Sequence, residues 1–269
     1  MTIVRSLAVL WAILLPCRIA DATIIVAYRT DAHFVIAADG LATNEVRWAT
    51  SQLRVCKVYE QAGAIFAMAG TLSPVFDPRQ VVREALTGRT SILGAADVLA
   101  ARLPEFYRSW LGQLRPHELD RIRNGDAAKV ALISSLVLGA WESGGPSAAA
   151  VDFFVPPGSS AVVRARVGWS CGPAACAHRA AFLGTFPAVG RRMNEFQPAL
   201  PPEATRATAA ESAAALVQLE IDARTPTVGP PISVAQVSAD GVSWSVPGAC
   251  KEPAYSRTPS GVMPQSGGR

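Results

Sequence analysis

The sequence predicts an α+β fold in which helices pack on antiparallel sheets. Short apolar, β-branched segments come in pairs separated by tight turns, which is typical of hairpins. The segments also alternate in blocks, strands then helices then strands again, and not one by one as in a parallel sheet. Hydrophobic residues make up 50% of the chain and charged residues 17%, which favours a globular protein over a disordered one.

The first 22 residues are predicted to lie outside this domain. Arg5 is followed by an apolar run over residues 7–16 and by Ala20-Asp21-Ala22, the pattern of a secretory signal peptide. The run is too short to span a bilayer, which takes about 20 residues. We expect a cut after Ala22, the alternatives being an uncleaved anchor or a misread first strand. The cut predicts a bacterial protein that is periplasmic or secreted.

The domain is predicted to span residues 23–252. It opens with strands at 23–28 and 33–38, then a polar stretch over 39–52. Further strands are predicted at 55–60, 64–69, 130–141, 148–155 and 161–167. A last hairpin joins 232–237 to 242–246 through Asp240-Gly241, a favoured hairpin turn.

Helical spacing of apolar residues marks the rest of the domain. Asp77 followed by Pro78 is typical of a helix N-terminus. Pro104 is expected to end or kink the next helix. Helices are predicted from residue 78, at 94–103 with a continuation over 105–114, at 173–183 and at 204–223. Residues 253–269, rich in proline, serine and glycine, are predicted to be a disordered tail.

Charge and cysteine content exclude several kinds of partner. The formal charge is +4, spread thinly, and gives little support to nucleic-acid binding. Export would leave four cysteines, which permit up to two disulfides in any of three pairings, or buried free thiols. Cys171, Cys176 and His178 lack a suitably spaced fourth metal ligand. We therefore predict no metal and no other cofactor. The four cysteines are Cys56, Cys171, Cys176 and Cys250.

Thr23 would become the first residue of the exported chain. A threonine hydroxyl is a weak nucleophile and needs a base. At a chain terminus its own α-amine, with a reference pKa of about 7.7–8.0, suits proton transfer near neutral pH. Inside a chain the same residue is an ordinary strand threonine. The cut site alone is therefore weak evidence for catalysis.

The surrounding sequence resembles the catalytic β-subunits of proteasomes and their bacterial relatives, which are N-terminal nucleophile (Ntn) hydrolases. The resemblance covers residues 23–72, and beyond them only the order of elements agrees. It implies a four-layer αββα sandwich of two antiparallel sheets covered by helices. It rests on segments that occur in the family's order: Thr23-Ile-Ile-Val-Ala27, Ala37-Ala-Asp-Gly-Leu-Ala-Thr43, Ser51-Gln52, Lys57-Val58 and Met68-Ala-Gly70.

The resemblance also implies roles for five residues. Thr23 matches the nucleophile, with its α-amine as general base, and Asp39 matches the aspartate that orients the lysine. Lys57 matches the cation that stabilises the ionised hydroxyl. Gly70 matches the glycine whose backbone N–H forms the oxyanion hole. Ser170 is matched less closely, to the serine of a third polar cluster. The implied reaction is hydrolysis of an amide or peptide bond.

The sequence departs from the family pattern in three places. Asp39 and Lys57 are further apart than in the family, so Arg54 competes with Lys57 for the catalytic position. Lys57 and Gly70 are closer together. The family's downstream aspartate and serine are not clearly present, although Asp222 or Thr225 could stand in for them. These departures leave open a protein that keeps the fold, and binds or assembles, without catalysis.

A second motif suggests a different hydrolase. Residues 168–172, Gly-Trp-Ser-Cys-Gly, fit the nucleophile elbow of serine esterases, in which Ser170 would attack. That chemistry needs a histidine far downstream, and the only later histidine is His178, eight positions on. We keep three hypotheses: an exported threonine peptidase or amidohydrolase, a non-catalytic binding or assembly protein, and a serine esterase.

Expected partners are a peptide or amide substrate and, as the family allows, a homo-oligomer or ring. Nucleic-acid binding is not expected. Contact with a membrane is expected only through the signal peptide, during export.

Overall fold

Antiparallel strands form most of the regular structure. The computed structural model describes residues 18–21, 23–46, 49–72, 77–112, 130–159, 162–173, 179–184, 186–195 and 206–251. The strands are β1 Arg18–Asp21, β2 Ile24–Arg29, β3 Phe34–Ala38, β4 Leu41–Val46, β5 Ala49–Arg54, β6 Val58–Gln61, β7 Ala64–Leu72, β8 Ala131–Glu142, β9 Gly145–Val155, β10 Arg164–Cys171, β11 Arg179–Gly184, β12 Ser233–Ser238 and β13 Gly241–Val246. The helices are α1 Pro78–Thr87, α2 Ile92–Leu111, α3 Pro187–Glu195 and α4 Arg206–Asp222, with a 3-10 helix at Gly248–Lys251.

The strands form two sheets that pack face to face. The larger sheet has the order β10-β9-β8-β7-β1-β4-β5, with β6 also paired to β7, and the smaller has the order β11-β2-β3-β12-β13. Every described pair is antiparallel. Ile25 and Phe34 of the smaller sheet share one buried cluster with Ile65 and Val137 of the larger. This cluster is the core between the sheets.

Strand β2 is apolar from Ile24 to Ala27 because both of its faces are buried. Successive side chains of a strand point to opposite faces. Ile25 and Ala27 therefore belong to the core between the sheets, whereas Ile24 and Val26 belong to a second cluster shared with α4. The continuous apolar run predicted this strand, and the two-sided burial explains the run.

Two helices pack on the outer face of the larger sheet. Asp77 caps α1 by accepting a hydrogen bond from the Arg79 backbone N–H at 3.0 Å, so the predicted helix start is confirmed. Ser91 caps α2 in the same way through Gly94 N–H. Pro104 lies inside α2, which continues past it to Leu111. The predicted helix at 94–103 and its continuation past Pro104 thus form one helix, Ile92–Leu111.

The predicted four-layer αββα sandwich, with helices covering two sheets, is wrong. The described chain has thirteen strands but only four α-helices, so it is mostly antiparallel sheet. The main helix contacts fall on β6 to β10 of the larger sheet and on β2, β3 and β12 of the smaller. Strands β1, β4 and β5 lie outside those contacts. The helices therefore cover part of each sheet and do not form two complete outer layers.

Two further expectations differ from the structure. The polar stretch 39–52 contains the hairpin of β4 and β5, whose register pairs Leu41 with Arg54. The predicted helix over 173–183 is wrong at its end, because β11 occupies residues 179–184 and pairs with β2. Arg18–Asp21, part of the predicted signal peptide, form β1 of the uncut chain, and the bounds of the domain stay a prediction. Residues 1–17 and the predicted tail 253–269 lie outside the described residues. Within the described residues, no helix combines the length and apolarity needed to cross a membrane.

Candidate active site

Thr23 lies where the chain crosses from one sheet to the other. Strand β1 ends at Asp21 in the larger sheet and β2 begins at Ile24 in the smaller. Asp39, directly after β3, lies beside this crossing because β2 and β3 are paired, and its backbone N–H donates to Ile24 O at 3.3 Å. Both side chains are buried. The sheet register thus brings together two residues that are sixteen positions apart in sequence.

The Asp39 carboxylate organises the site. Its Oδ1 accepts hydrogen bonds from Thr23 Oγ1 at 2.5 Å, the Ile24 N–H at 3.0 Å and Lys57 Nζ at 3.0 Å. Its Oδ2 accepts from the N–H groups of Leu41 at 3.1 Å and Gly229 at 3.2 Å. These five donors hold the carboxylate in a fixed position beside Lys57.

Lys57 places an ammonium group against the threonine hydroxyl. Its Nζ donates to Thr23 Oγ1, to Asp39 Oδ1 and to the Leu41 carbonyl, so all three of its N–H donors have acceptors. Thr23, Asp39 and Lys57 are 0%, 1% and 3% exposed, so water does not screen these contacts. Arg54, the competing candidate, is an exposed residue at the end of β5. The geometry therefore favours Lys57 as the cation of the site.

Gly70 lies in β7 near the end of β1. Its partner in β1 is Asp21, two residues before Thr23, and its partner in β8 is Ser134. Its φ of +136° suits glycine, and a Cβ there would lie 2.6 Å from the Ile133 carbonyl oxygen. The Tyr107 hydroxyl lies 2.6 Å from Ser134 Oγ behind this position. The predicted oxyanion role of the Gly70 N–H stays a prediction.

Ser170 is not joined to the Thr23 cluster. It is an exposed residue within β10, the edge strand of the larger sheet, and it pairs with Ala149. Strands β9 and β8 separate β10 from β7, a distance of about 14 Å at the usual strand spacing. Residues 168–171 lie inside the strand and not at a turn from strand to helix, which the nucleophile elbow requires.

The sequence did not predict the contact that Gly229, in the loop after α4, makes with Asp39. The Gly229 N–H donates to Asp39 Oδ2, and its carbonyl accepts from the Gly40 N–H at 3.0 Å. Gly229 thus holds both the carboxylate and the backbone that follows it. The glycine in the segment 227–231 was the available signal, although nothing in its spacing pointed to Asp39.

A buried carboxylate supports this loop. Glu220, at the end of α4, is fully buried and accepts hydrogen bonds from Thr225 Oγ1 and, at 2.6 Å, from the Val189 N–H. Thr225 was one of two residues expected to stand in for the family's downstream polar pair. The other, Asp222, is exposed and accepts from Gln218 on the surface of α4. Thr225 therefore acts on the loop and Asp222 does not.

Cys56 and Cys250 form a disulfide, one of the pairings that the sequence left open. Cys171 is also disulfide-bonded. Cys56 directly precedes Lys57, so the bond lies at the edge of the site. Across the described ranges, no group of three or more His, Cys, Asp and Glu side chains is placed to hold a metal ion.

Comparison with solved structures shows a similarity of fold to a solved protein. An Anbu mutant from Hyphomicrobium sp. strain MC1 superposes with a TM-score of 0.51, covering 83% of this chain and 84% of that one at 16% sequence identity. At this identity the similarity concerns the fold alone. No protein-family model matches the chain, and no curated protein matches it in sequence.

Proposed function

We propose that this chain, once cut between Ala22 and Thr23, is a threonine-type hydrolase of amide or peptide bonds, related to the proteasome-like Ntn hydrolases. The observation that supports this most directly is the buried contact of the Thr23 hydroxyl with the Lys57 ammonium and the Asp39 carboxylate. A hydroxyl in contact with a buried cation has its ionised form stabilised. An ordinary strand threonine needs no such partners.

The cut supplies the group that the uncut chain lacks. In the uncut chain the Thr23 nitrogen belongs to the peptide bond with Ala22 and cannot act as a base. Cleavage turns this nitrogen into an amine next to the hydroxyl. The Ala20-Asp21-Ala22 pattern makes signal peptidase the proposed activating enzyme. The reaction would then take place in the periplasm or outside the bacterial cell.

The reaction proceeds through an ester on Thr23. The hydroxyl attacks the substrate carbonyl while its proton passes to the α-amine, and Lys57 stabilises the developing oxygen charge. The Gly70 N–H donates to the oxyanion. The α-amine then protonates the departing amine, which leaves the acyl group on Thr23 Oγ1. Water attacks this ester, its proton again taken by the α-amine. The bond from the acyl carbon to Thr23 Oγ1 then breaks, the α-amine returns the proton to Oγ1, and the free acid departs.

The position of β1 favours a peptide as substrate. In the uncut chain β1 lies between β4 and β7, with Ala20 paired to Thr43 on one side and Thr71 on the other. Removal of the leader would free this strand position, which ends two residues before Thr23. An extended peptide can occupy such a position through main-chain hydrogen bonds. One of its carbonyl groups would then lie next to the Thr23 hydroxyl.

A second candidate function is a non-catalytic binding protein with the same fold. The observation that favours it is the separation of Ser170 from the Thr23 cluster, which leaves the family's third polar cluster incomplete. In that case the strand position between β4 and β7 would bind a peptide without cutting it.

The deciding experiment combines N-terminal sequencing with active-site labelling. The secreted protein is expected to begin at Thr23 and to be labelled once by a threonine-directed electrophile such as a β-lactone. Thr23→Ala should abolish the label, and Ser170→Ala should retain it. A secreted chain that begins at any other residue contradicts the proposal. Correctly cut wild type that takes no label supports the binding protein, and a label lost only in Ser170→Ala supports the esterase.

A further inference from the structure

The disulfide between Cys56 and Cys250 lies next to Lys57. It joins the segment between β5 and β6 to the 3-10 helix Gly248–Lys251, across a sequence separation of 194 residues. Lys57 follows Cys56 directly, and Val58 begins β6. The bond therefore ties the backbone of Lys57 to the far end of the domain.

Residues 55–57 lie outside the strands, so their backbone is held by the disulfide together with two hydrogen bonds, from the Val55 N–H to the Gly40 carbonyl and from the Tyr59 hydroxyl to the Cys56 carbonyl. Strand β5 ends at Arg54 and β6 begins at Val58. Cys56 Sγ and Cys250 Sγ lie 2.7 Å and 3.4 Å from the Val58 carbonyl oxygen. The disulfide thus contacts the backbone on both sides of Lys57. Among the described contacts, the Cys56–Cys250 disulfide is the covalent restraint on residues 55–57.

The contacts of Lys57 demand such a restraint. A lysine side chain is a flexible four-carbon stem with a compact charge at its end. Its ammonium group must meet Thr23, Asp39 and the Leu41 carbonyl together, in a buried position. A displacement of about 1 Å can lower a rate by about 100-fold. A backbone free to move at residue 56 would allow a displacement of that size.

The disulfide is also open to exchange. Both cysteines are half-buried, and Cys250 lines a surface cavity of about 380 Å³ with Trp244, Ser245 and Pro247. A thiolate of a dithiol entering there can attack Cys250 Sγ, forming a mixed disulfide and releasing Cys56 as a thiolate. The second thiol of the reagent then releases Cys250. The protein gains two thiols, and the dithiol becomes a disulfide.

We propose that the Cys56–Cys250 disulfide is a positioning device for Lys57, so that thiol–disulfide exchange at this pair sets the activity at Thr23. Such bonds persist in the periplasm and outside the cell, and they are reduced in the cytoplasm. The chain would thus need oxidation as well as cleavage to become active. The effect on catalysis rests on the proposed hydrolase function, but the position of Lys57 can be measured without it.

The test uses the secreted, cut protein with its lysine Cε atoms labelled with ¹³C. The chain has three lysines, Lys57, Lys129 and Lys251, so Lys57→Arg assigns the Lys57 resonance. The oxidised protein is compared with the dithiol-reduced protein and with Cys56→Ser/Cys250→Ser, while circular dichroism reports folding. We expect the Lys57 resonance to shift in the reduced protein and in the double variant alike. Peptide hydrolysis should fall about 10-fold to 100-fold, mainly in kcat, with a changed pH–rate profile.

Cys171→Ala is the matched control, because Cys171 belongs to a different disulfide. It should keep the oxidised Lys57 resonance and its response to reduction. An unchanged resonance together with a rate within about twofold in the folded double variant overturns the proposal. Unfolding of both the reduced protein and the double variant also overturns it, because the bond would then serve the whole fold. A shifted resonance in a protein that hydrolyses no peptide supports the positioning of Lys57 and overturns the hydrolase function.

Discussion

Two hydroxyl groups in this chain were candidates for a nucleophile, and their surroundings differ sharply. Thr23 is fully buried between two sheets, and its hydroxyl contacts a carboxylate and an ammonium group. Ser170 is exposed in an edge strand, about 14 Å from β7. Both fit a sequence motif. The comparison teaches that the buried neighbours of a hydroxyl group determine its chemistry. A sequence motif that lies within a strand does not by itself form a catalytic site.

The strongest way to break this comparison is to remove the cation. Lys57→Met should lower peptide hydrolysis at least about 1,000-fold, because the charge beside Thr23 Oγ1 is lost. It should also lower the free energy of unfolding by about 3 kcal/mol, because Asp39 becomes a buried charge without its partner. Ser170→Ala should change activity less than about twofold and stability by less than about 0.5 kcal/mol. Peptide cleavage and urea unfolding measure both.

A double variant separates the two effects of Lys57. Lys57→Met/Asp39→Asn removes both charges and should regain part of the lost stability while hydrolysis stays absent. Activity of Lys57→Met close to that of wild type would contradict the assignment of Lys57. A loss of activity in Ser170→Ala equal to that in Lys57→Met would reverse the comparison of the two regions.

The second prediction compares two glycines, one in each region. Gly70→Ala places a Cβ 2.6 Å from the Ile133 carbonyl at φ +136°. We expect hydrolysis to fall about 100-fold and stability by about 1–3 kcal/mol, because the backbone must shift at the oxyanion position. Gly168→Ala in β10 is the control, since the nearest atom to its Cβ, the Ala150 carbonyl oxygen, is 3.8 Å away. Equal rates for the two variants would remove Gly70 from the site.

The third prediction tests the support beneath Asp39. Thr225→Val leaves the buried Glu220 carboxylate without one donor, which should cost about 1–3 kcal/mol of stability. Because the loop also holds Gly229 against Asp39, kcat should fall about tenfold with KM nearly constant. Thr225→Ser should restore both. Asp222→Asn, at an exposed site, is the control and should lie within about 0.5 kcal/mol of wild type. A fall in stability without any change in kcat would limit Thr225 to a role in the fold.

The smallest expected effect is a pH dependence of stability that comes from the burial of Tyr28, in the strand that begins beside Thr23. Burial raises the pKa of Tyr28 to about 12, whereas it is about 10 in the unfolded chain. Between these values only the unfolded state loses the proton. Stability therefore falls as the pH rises from about 10 to about 12, by up to about 1.4 kcal/mol per pH unit from this group. Tyr28→Phe should show a shallower fall in urea unfolding at pH 9 to 11. Equal slopes of unfolding free energy against pH for wild type and Tyr28→Phe would contradict burial of Tyr28 as the cause.

The parts of the fold that the sequence predicted depend on local patterns. Asp77 caps a helix through its neighbour Arg79, β3 is apolar at each position, and β2 is apolar from Ile24 to Ala27. The hairpin of β4 and β5 was missed because both strands are polar and β4 pairs with β1, a segment expected to lie outside the domain. Residues 179–184 form a strand because they pair with β2, and no local signal shows that pairing.

The candidate site also contains some residues that local sequence patterns predicted and others that they did not. Thr23, Asp39 and Lys57 were predicted because they fall within 35 residues, in the order of a known family. Gly229 meets Asp39 across 190 residues, and Cys250 meets Cys56 across 194. Contacts between residues so far apart in sequence depend on how the two sheets pack, which a single sequence does not reveal.

The place of β1 has a consequence for the hairpin of β4 and β5 after cleavage. In the uncut chain β4 pairs only with β1 and β5 among the described strands, so β1 joins the hairpin to the rest of the larger sheet. Loss of β1 would leave a two-stranded unit, and such hairpins are marginally stable in water. Its amide hydrogens should then exchange much faster than those of β7 and β8. A peptide that takes the place of β1 would slow this exchange again, so amide exchange in the hairpin reports occupancy without any cleavage.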